Sequence, residues 1–308
     1  MRINIIVLNY NGKELLRECL PSVIEAAKGS KYNVKVSVLD NCSTDDSVSF
    51  LKQTFPGVNI YIARENKVYC SYNEFFKRLD DDIIVVLNSD IKVDKNFINP
   101  LVENFKDPDI FFVSSRTYSF DGITYQGDKS KALIRYGIIS ADTRFKGYEG
   151  LIMEKGFTFS TGNGAFDRKK FLELGGFDEI YLPGRYEDVD FCFRGWKAGY
   201  KGIYEPRSII YHKGYASFKN FFSNRQIDAM VFRNSLFFMW KNITDLKILF
   251  KLHFWLIFRL AFYVLTLRFY FMNGFIEALS RIPMTIKSRK LALKNFKLTD
   301  KEILDIVG

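Results

Sequence analysis

Four apolar runs, each closing on Asn or Asp and each followed by a stretch of different periodicity, constrain this chain more than any other feature. Residues 3–8 end at Asn9, Tyr10, Asn11 and Gly12, and residues 34–39 end at Asp40 and Asn41. Residues 58–63 lead into Arg64, Glu65, Asn66 and Lys67, and residues 83–87 end at Asn88, Ser89 and Asp90. Between them, Leu15, Leu16, Cys19, Leu20, Val23 and Ile24 recur at helical spacing. Val48, Phe50, Leu51 and Phe55 do the same after cap-forming residues at 43–46, and residues 72–79 suit a third helix. Continuous rather than alternating apolar runs predict strands buried on both faces. Strands alternating with helices across short polar turns predict right-handed βαβ units and a mostly parallel sheet, an α/β fold. Ligands of such sheets bind beyond the carboxyl ends of the strands. Asn9, Asp40, Asn66 and Asp90 all fall on that rim. Each alone is equally a turn residue bonded to nearby backbone, but four on one rim point to a site.

A second constraint is the cluster Glu187, Asp188 and Asp190, followed by Phe191, Phe193, Arg194 and Trp196. A helix starting near Glu187 places the carboxylates in its first turn, where free N–H groups and the dipole favour negative charge. Val189, Phe193 and Trp196 would form its apolar face. An acidic helix start with a buried face is the plain alternative to a catalytic role. Asp90, with Ser89 and Asn88 before it, offers the oxygen ligands of a hard divalent cation held by few protein groups and by phosphate. A Gly-rich phosphate loop with its Lys is lacking, so a P-loop enzyme is excluded. Gly162 and Gly164 would let backbone approach a ligand, although a bulge or turn would use them equally well. His212, just beyond a short strand at 209–211, is a candidate ligand beside the metal site, whereas His253 in an apolar helical stretch reads as structural. Residues 118–156 form a turn-rich, aromatic insertion to which the sequence assigns no role. Cys19, Cys42, Cys70 and Cys192 lack metal-ligand spacing, and no secretory leader is recognisable, which predicts a reducing, cytoplasmic setting.

Charge is unevenly spread. Residues 207–308 hold 17 Lys and Arg against 6 Asp and Glu, a balance of +11; the whole chain is +10, leaving −1 for residues 1–206. Residues 225–240 and 246–279 are rich in Phe, Leu, Ile, Trp and Tyr, and Lys247, Lys251, Arg259 and Arg268 fall on one half of a helix. No uninterrupted apolar run approaches the roughly 20 residues that span a bilayer. The pattern is that of an interfacial helix meeting an anionic membrane surface, with packing on the catalytic domain or on a second subunit as the alternatives. Aromatics at helical spacing beside apolar runs suit burial better than base stacking, so no nucleic-acid partner is expected. Thr299 and Glu302 predict a capping box for a short terminal helix.

Taken in order, Asn9-Tyr10-Asn11, Asp40-Asn41-Cys42-Ser43-Thr44-Asp45, Asn88-Ser89-Asp90, Gly162-Asn163-Gly164-Ala165, Gly175-Gly176-Phe177-Asp178 and Glu187-Asp188-Val189-Asp190 with Arg194 resemble the family 2 glycosyltransferases. Within that family the chain looks most like the rhamnosyltransferase-like branch, which decorates bacterial cell-surface polysaccharides. The resemblance runs from about residue 3 to 215. It implies a GT-A (Rossmann-like) fold with a mixed, mostly parallel sheet and a C-terminal helical region. Residues 1–218 would be the catalytic domain, with a nucleotide-binding part at 1–92 and an acceptor part at 93–218. Residues 219–308 would meet a membrane surface or a subunit.

The implied activity is inverting transfer of a sugar from a dTDP- or UDP-linked donor to a hydroxyl of a lipid-linked or cell-surface polysaccharide acceptor. Asn9 and Asp40 would contact base and ribose, with Asn66, Ser89 and Gly164 completing the donor site. Asp90 stands where the family's metal-binding aspartate holds Mg²⁺ or Mn²⁺, and His212 matches a histidine that can complete that site. Asp188 stands at the general base, with Glu187 orienting the acceptor, and Asp190 is left to capping or scaffold support. The resemblance departs at Asn88, which leaves one certain carboxylate ligand, and at Lys67 to Asn73, where many relatives carry glycines. A non-catalytic nucleotide-sugar binding or assembly subunit is the alternative function. The expected location is the cytoplasmic face of the membrane, with a homo-oligomer open.

Overall fold

The computed structural model describes residues 1–214 and 221–308. Its first half is the expected βαβ succession: β1 (Arg2–Asn9), α1 (Lys13–Lys28), β2 (Asn33–Asp40), α2 (Ser47–Thr54), β3 (Asn59–Ile62), α3 (Ser71–Lys77) and β4 (Ile83–Asn88). These strands pair in parallel in the order β3-β2-β1-β4. Both sheet faces are covered, and the pleat shows it: Ile3, Ile5 and Val7 face one apolar layer while Ile6 and Leu8 face the other. That is why the runs are unbroken in the sequence.

β5 (Ile91–Val93), α4 (Ile98–Glu103), β6 (Ile110–Ser119), β11 (Gly164–Asp167) and β12 (Lys201–His212) complete the main sheet with β10 (Gly156–Phe157) and β7 (Tyr125–Gly127). The order is β10-β12-β6-β11-β4-β1-β2-β3, with β5 on β12 and β7 on β6. β6 and β12 run parallel, but β11 lies antiparallel to both β4 and β6, so the sheet is mixed and mostly parallel as expected. The short strand expected at 209–211 is the end of a longer one, β12, which has a bulge between Glu205 and Ile209. The insertion at 118–156 contains β7 and the hairpin of β8 (Lys131–Arg135) and β9 (Ile138–Asp142). All four cysteines are free.

α5 (Arg168–Glu173) precedes α6 (Glu187–Lys197), which carries the acidic cluster. Here the expected apolar face needs correction. Phe193 and Trp196 are buried, but Val189 is only half-buried and lines a cleft, while Asp190 is fully buried. Four donors converge on Asp190: Tyr181 Oη (2.8 Å) and Asn242 Nδ2 (2.7 Å) on Oδ1, Arg194 Nε (2.8 Å) and Lys241 Nζ (2.8 Å) on Oδ2. Burial alone would raise the Asp190 pKa, but Lys241 and Arg194 outweigh it and hold the carboxyl below its ordinary value.

The chain continues as α7 (Asn224–Asn242), α8 (Leu246–Leu265), α9 (Phe269–Ser280), α10 (Ile282–Ala292) and α11 (Asp300–Val307), the last opened by the expected Thr299–Glu302 capping box. The helical stretch expected over 246–279 is broken into α8 and α9 between Thr266 and Arg268. The boundary expected at 218/219, like residue 215, lies outside the described residues. Beyond it α7 packs on the catalytic domain: Phe232, Leu236, Phe237, Phe238 and Met239 of α7 belong to the same apolar core as Phe191 and Phe193 of α6. Phe193 and Phe238 meet ring to ring at 5.2 Å.

Asp190→Asn leaves buried Arg194 without its carboxylate partner and buried Lys241 with Asp178 alone. We expect a loss of about 3–5 kcal/mol in denaturant unfolding. Because the folded pKa is depressed, the wild-type stabilisation is present above the ordinary carboxylate range and lost as pH falls through it. The variant's stability should therefore decline less steeply on the acid side.

Candidate functional site

The parallel strands point their carboxyl ends at one cleft of about 1000 Å³. Its lining includes Tyr10, Asn41, Asn66, Ser89 and Asp90 from the strand ends, Gln126 and Asp128 from the insertion, Gly162, His212, and Arg185 to Val189 at the start of α6. Register brings the rim together: Asn9 pairs with Asp40, and Leu8 with Asn88.

Of the expected residues, Asn66, Ser89, Asp90, Glu187, Asp188 and His212 meet in this cleft. Asn9 and Asp40 do not reach it. Each is 1% exposed, and Asn9 Nδ2 donates to Asp40 Oδ2 (2.9 Å), which also accepts from Ser43 Oγ (2.6 Å). They order the 40–44 turn from beneath, and the neighbours Tyr10 and Asn41 face the open space instead. Gly164 is also displaced from its expected role. It lies in β11 between β4 and β6, where a Cβ would come within 2.4 Å of Val113 O, so close strand packing explains it. Gly162 is the glycine at the cleft, and a Cβ there would sit 3.0 Å from Asp188 Oδ2.

Asn88, at the departure from the family pattern, is bound into the frame. Its N–H donates to Asn163 Oδ1 (3.0 Å), and its Oδ1 lies 3.1 Å from Tyr69 Oη, itself 3.0 Å from Gly162 O.

Asp90 Oδ2 faces His212 Nε2 at 3.4 Å. Gln126 Nε2 donates to Ser119 Oγ (2.8 Å) and to His212 O (3.1 Å), which leaves its Oε1 to accept from His212 Nδ1 at 3.0 Å. With Nδ1 holding the proton, neutral His212 directs its Nε2 lone pair at the space beside Asp90. This donor pair fits a divalent cation that takes its remaining ligands from water and phosphate. Among the described residues no group of three or more His, Cys, Asp or Glu could hold an ion by itself. Burial would lower the His212 pKa, but without a cation the protonated ring donates Nε2–H to Asp90, and that bond with the Asp90 charge raises it overall.

Asp188 opens α6, its Oδ1 accepting from Val189 N (2.8 Å). Burial raises the pKa of Asp188, and burial followed by the neighbouring Asp188 charge pushes that of Glu187 up. Glu187 is 7% exposed, and its Oε2 has no hydrogen-bond partner among the described residues. A carboxyl in that state is a hydrogen-bond donor at neutral pH. The turn before them is strained: Arg185 and Tyr186 both have left-handed backbones (φ 74° and 75°), which costs about 1–3 kcal/mol each. Asn234 of α7 holds the turn, its Nδ2 within 3.1 Å of Tyr181 O, 2.7 Å of Gly184 O and 2.8 Å of Arg185 O.

Sequence reasoning missed Gln126 and Asp128. Asp128 has a left-handed backbone after β7 and accepts a hydrogen bond from Thr117 Oγ1. Burial raises its pKa to about 6, and it interacts electrostatically with both His212 and Asp188. It lines the same cleft as the donor pair and the α6 carboxylates. Nothing in the turn-rich insertion singled it out.

Comparison with known proteins identifies the fold and the family. No curated protein sequence matches. Among solved structures, GalNAc-T7 with UDP, GalNAc and Mn²⁺ superposes with a TM-score of 0.58 at 16% identity, over 77% of this chain and 48% of that one. S. aureus TarS 1-349 in complex with UDP-GlcNAc gives a TM-score of 0.58 at 13% identity, over 96% and 89%. The mannosyltransferase PcManGT from Pyrobaculum calidifontis, with GDP-Man and Mn²⁺, gives 0.53 at 16%, over 95% and 74%. This chain thus spans about half the length of GalNAc-T7. The fold is GT-A, with a C-terminal helical region. The profile of glycosyl transferase family 2 matches residues 4–175, more than half of the chain, and the protein belongs to that family.

Proposed function

We propose that the protein is an inverting glycosyltransferase that moves a sugar from a nucleoside-diphosphate donor to a hydroxyl of a lipid-linked or cell-surface glycan. The observation that carries this reading is the meeting, in one cleft, of the Asp90–His212 donor pair with the Asp188–Glu187 pair. UDP and UDP-GlcNAc in two of the related structures support a uridine donor, and GDP-Man in the third leaves the base open. The rhamnosyltransferase-like branch rests on sequence resemblance alone.

Tyr10, Asn41 and Asn66 are the side chains available to base and ribose, supported from below by Asn9 and Asp40. Asp90 and His212 would hold Mg²⁺ or Mn²⁺, which when bound neutralises charge on the diphosphate. Asp188 accepts the proton of the acceptor hydroxyl as its oxygen bonds to the anomeric carbon and the bond from that carbon to the diphosphate breaks. Attack from the face opposite the leaving group inverts the centre. Glu187 keeps its proton and orients a hydroxyl. Asp128, which lines the same cleft, accepts from hydroxyls of the transferred sugar.

Four outcomes test this. In titration calorimetry across a donor panel, Asp90→Ala should weaken metal-dependent donor binding at least tenfold. Asp188→Asn should leave that binding within about twofold and reduce turnover at least 10³-fold, and normal turnover would remove Asp188 from the role of base. Because the base works deprotonated and its pKa is raised, kcat should fall on the acid side with a midpoint above the ordinary Asp value of about 4 and be full above it; a limb at or below 4 contradicts the assignment. Asp128→Asn should change relative kcat/KM among donors that share one nucleotide but differ in sugar. An unchanged ranking would take Asp128 out of sugar recognition.

A further inference from the structure

One large surface is left unexplained by sugar transfer. In α8 only Leu252, Leu256 and Tyr263 are buried. They lie on one side, where Tyr263 meets Phe232 of α7 edge to face at 5.5 Å and Leu252 meets the backbone of Gly137 in the β8–β9 turn. At about 100° per residue, the opposite side carries Phe250, Phe254, Ile257, Phe258, Phe262 and Leu265. Each is between 46% and 82% exposed. The surface continues through Phe269 and Ile276 of α9. Soluble monomers rarely expose a contiguous apolar face of this kind.

The charge around it has one sign. Between Leu246 and Leu293 the chain has eight Lys and Arg and a single acidic residue, Glu277, which is paired with Arg233 and Arg281. Lys247 and Lys251 stand at one end of the α8 face and Arg268 at the other. The face also adjoins the cleft. Val231 lines the cleft while its neighbour Phe232 packs on α8, and Arg259 of α8 acts electrostatically on Tyr186, beside Asp188.

We propose that this face docks on an anionic lipid surface, with α8 lying in the plane of one leaflet, and that the sugar acceptor reaches the cleft from that surface. The acceptor part rests on the glycosyltransferase reading; the lipid contact does not. Apolar side chains enter the acyl boundary while the flanking Lys and Arg meet the headgroups. A symmetric pair of chains is disfavoured because it would set this patch, with its excess of positive charge, against itself. By length and composition α8 could cross a bilayer. Spanning would, however, strip Leu252, Leu256 and Tyr263 from their seat and bury Lys251 and Arg259 in hydrocarbon.

The test is co-sedimentation of the full chain with vesicles of phosphatidylglycerol and phosphatidylcholine, or of phosphatidylcholine alone. Binding should be at least tenfold tighter to the anionic vesicles and weaken with salt. The triple variant F254S/F258S/F262S and the double variant K247E/K251E should each lose at least tenfold, with donor binding unchanged. In lipids brominated at different depths, Trp255 fluorescence should be quenched most by shallow bromines. Equal binding to neutral vesicles, or retained binding in both variants, overturns the lipid surface. Strongest quenching from the bilayer centre overturns the in-plane orientation in favour of a span. A dimer that the triple variant dissociates without loss of vesicle binding assigns the face to a second copy. If the wild type binds vesicles but no donor, the transfer reading fails and the lipid surface stands.

Discussion

The carboxylate of Asp190 is the point on which the site depends. A charge with no exposure to water is tolerable only when opposite charges and hydrogen bonds replace its hydration. Here the replacements come from four separate places: Tyr181 in the loop before α6, Arg194 one turn along α6, and Lys241 and Asn242 at the end of α7. Arg194 in turn donates to Leu174 O and Gly176 O, both at 2.5 Å, and Lys241 reaches Asp178 at 2.7 Å. The network therefore fixes the start of α6 relative to the Gly175–Gly176 turn and to α7. Asp188, two residues before Asp190, inherits that position.

The strained turn at Arg185 and Tyr186 follows from the same arrangement. Two successive left-handed residues without glycine would relax if the turn were free. Asn234 holds three of its carbonyls, and Arg233 donates to Leu182 O at 2.9 Å, so α7 supports the turn from behind while α6 holds its end. The consequence is a helix start whose first two side chains are carboxyls facing a cleft. Burial then separates their tasks. Asp188 keeps a backbone N–H donor on its carboxylate, and Glu187 has an unpartnered oxygen and the pKa pushed further up, so one suits proton acceptance and the other donation.

What could be read in the sequence was what short-range pattern encodes. The strand runs, their polar ends and the acidic start of α6 follow from periodicity and capping, and the structure places Asp90, Glu187, Asp188 and His212 along one cleft. Asn9 and Asp40 share the same signal, yet they bond to one another, because a polar residue at a strand end can turn into the frame as readily as out of it. Gly164 was ambiguous for a similar reason: a glycine that lets a ligand approach and one that lets two strands approach look alike in a sequence. Gln126 and Asp128 were illegible because their position depends on β7 pairing with β6, a contact set by tertiary packing within an irregular insertion.

The C-terminal helices show how far composition can mislead about boundaries. Their excess positive charge and aromatic content suggested a region apart from the enzyme body, yet α7 contributes Asn234, Lys241 and Asn242 to the very contacts that position α6. α11 is bound in as well: Asp300 Oδ2 accepts from Thr244 N and Asp245 N at 2.7 Å, while Lys197 of α6 pairs with the same carboxylate. α8 begins at that anchor, with Asp245 capping its first turn. A surface attached so rigidly to the helix behind the cleft cannot change its orientation without disturbing the Glu187 and Asp188 carboxyls. Whatever α8 rests on therefore fixes the direction from which a substrate can approach Asp188.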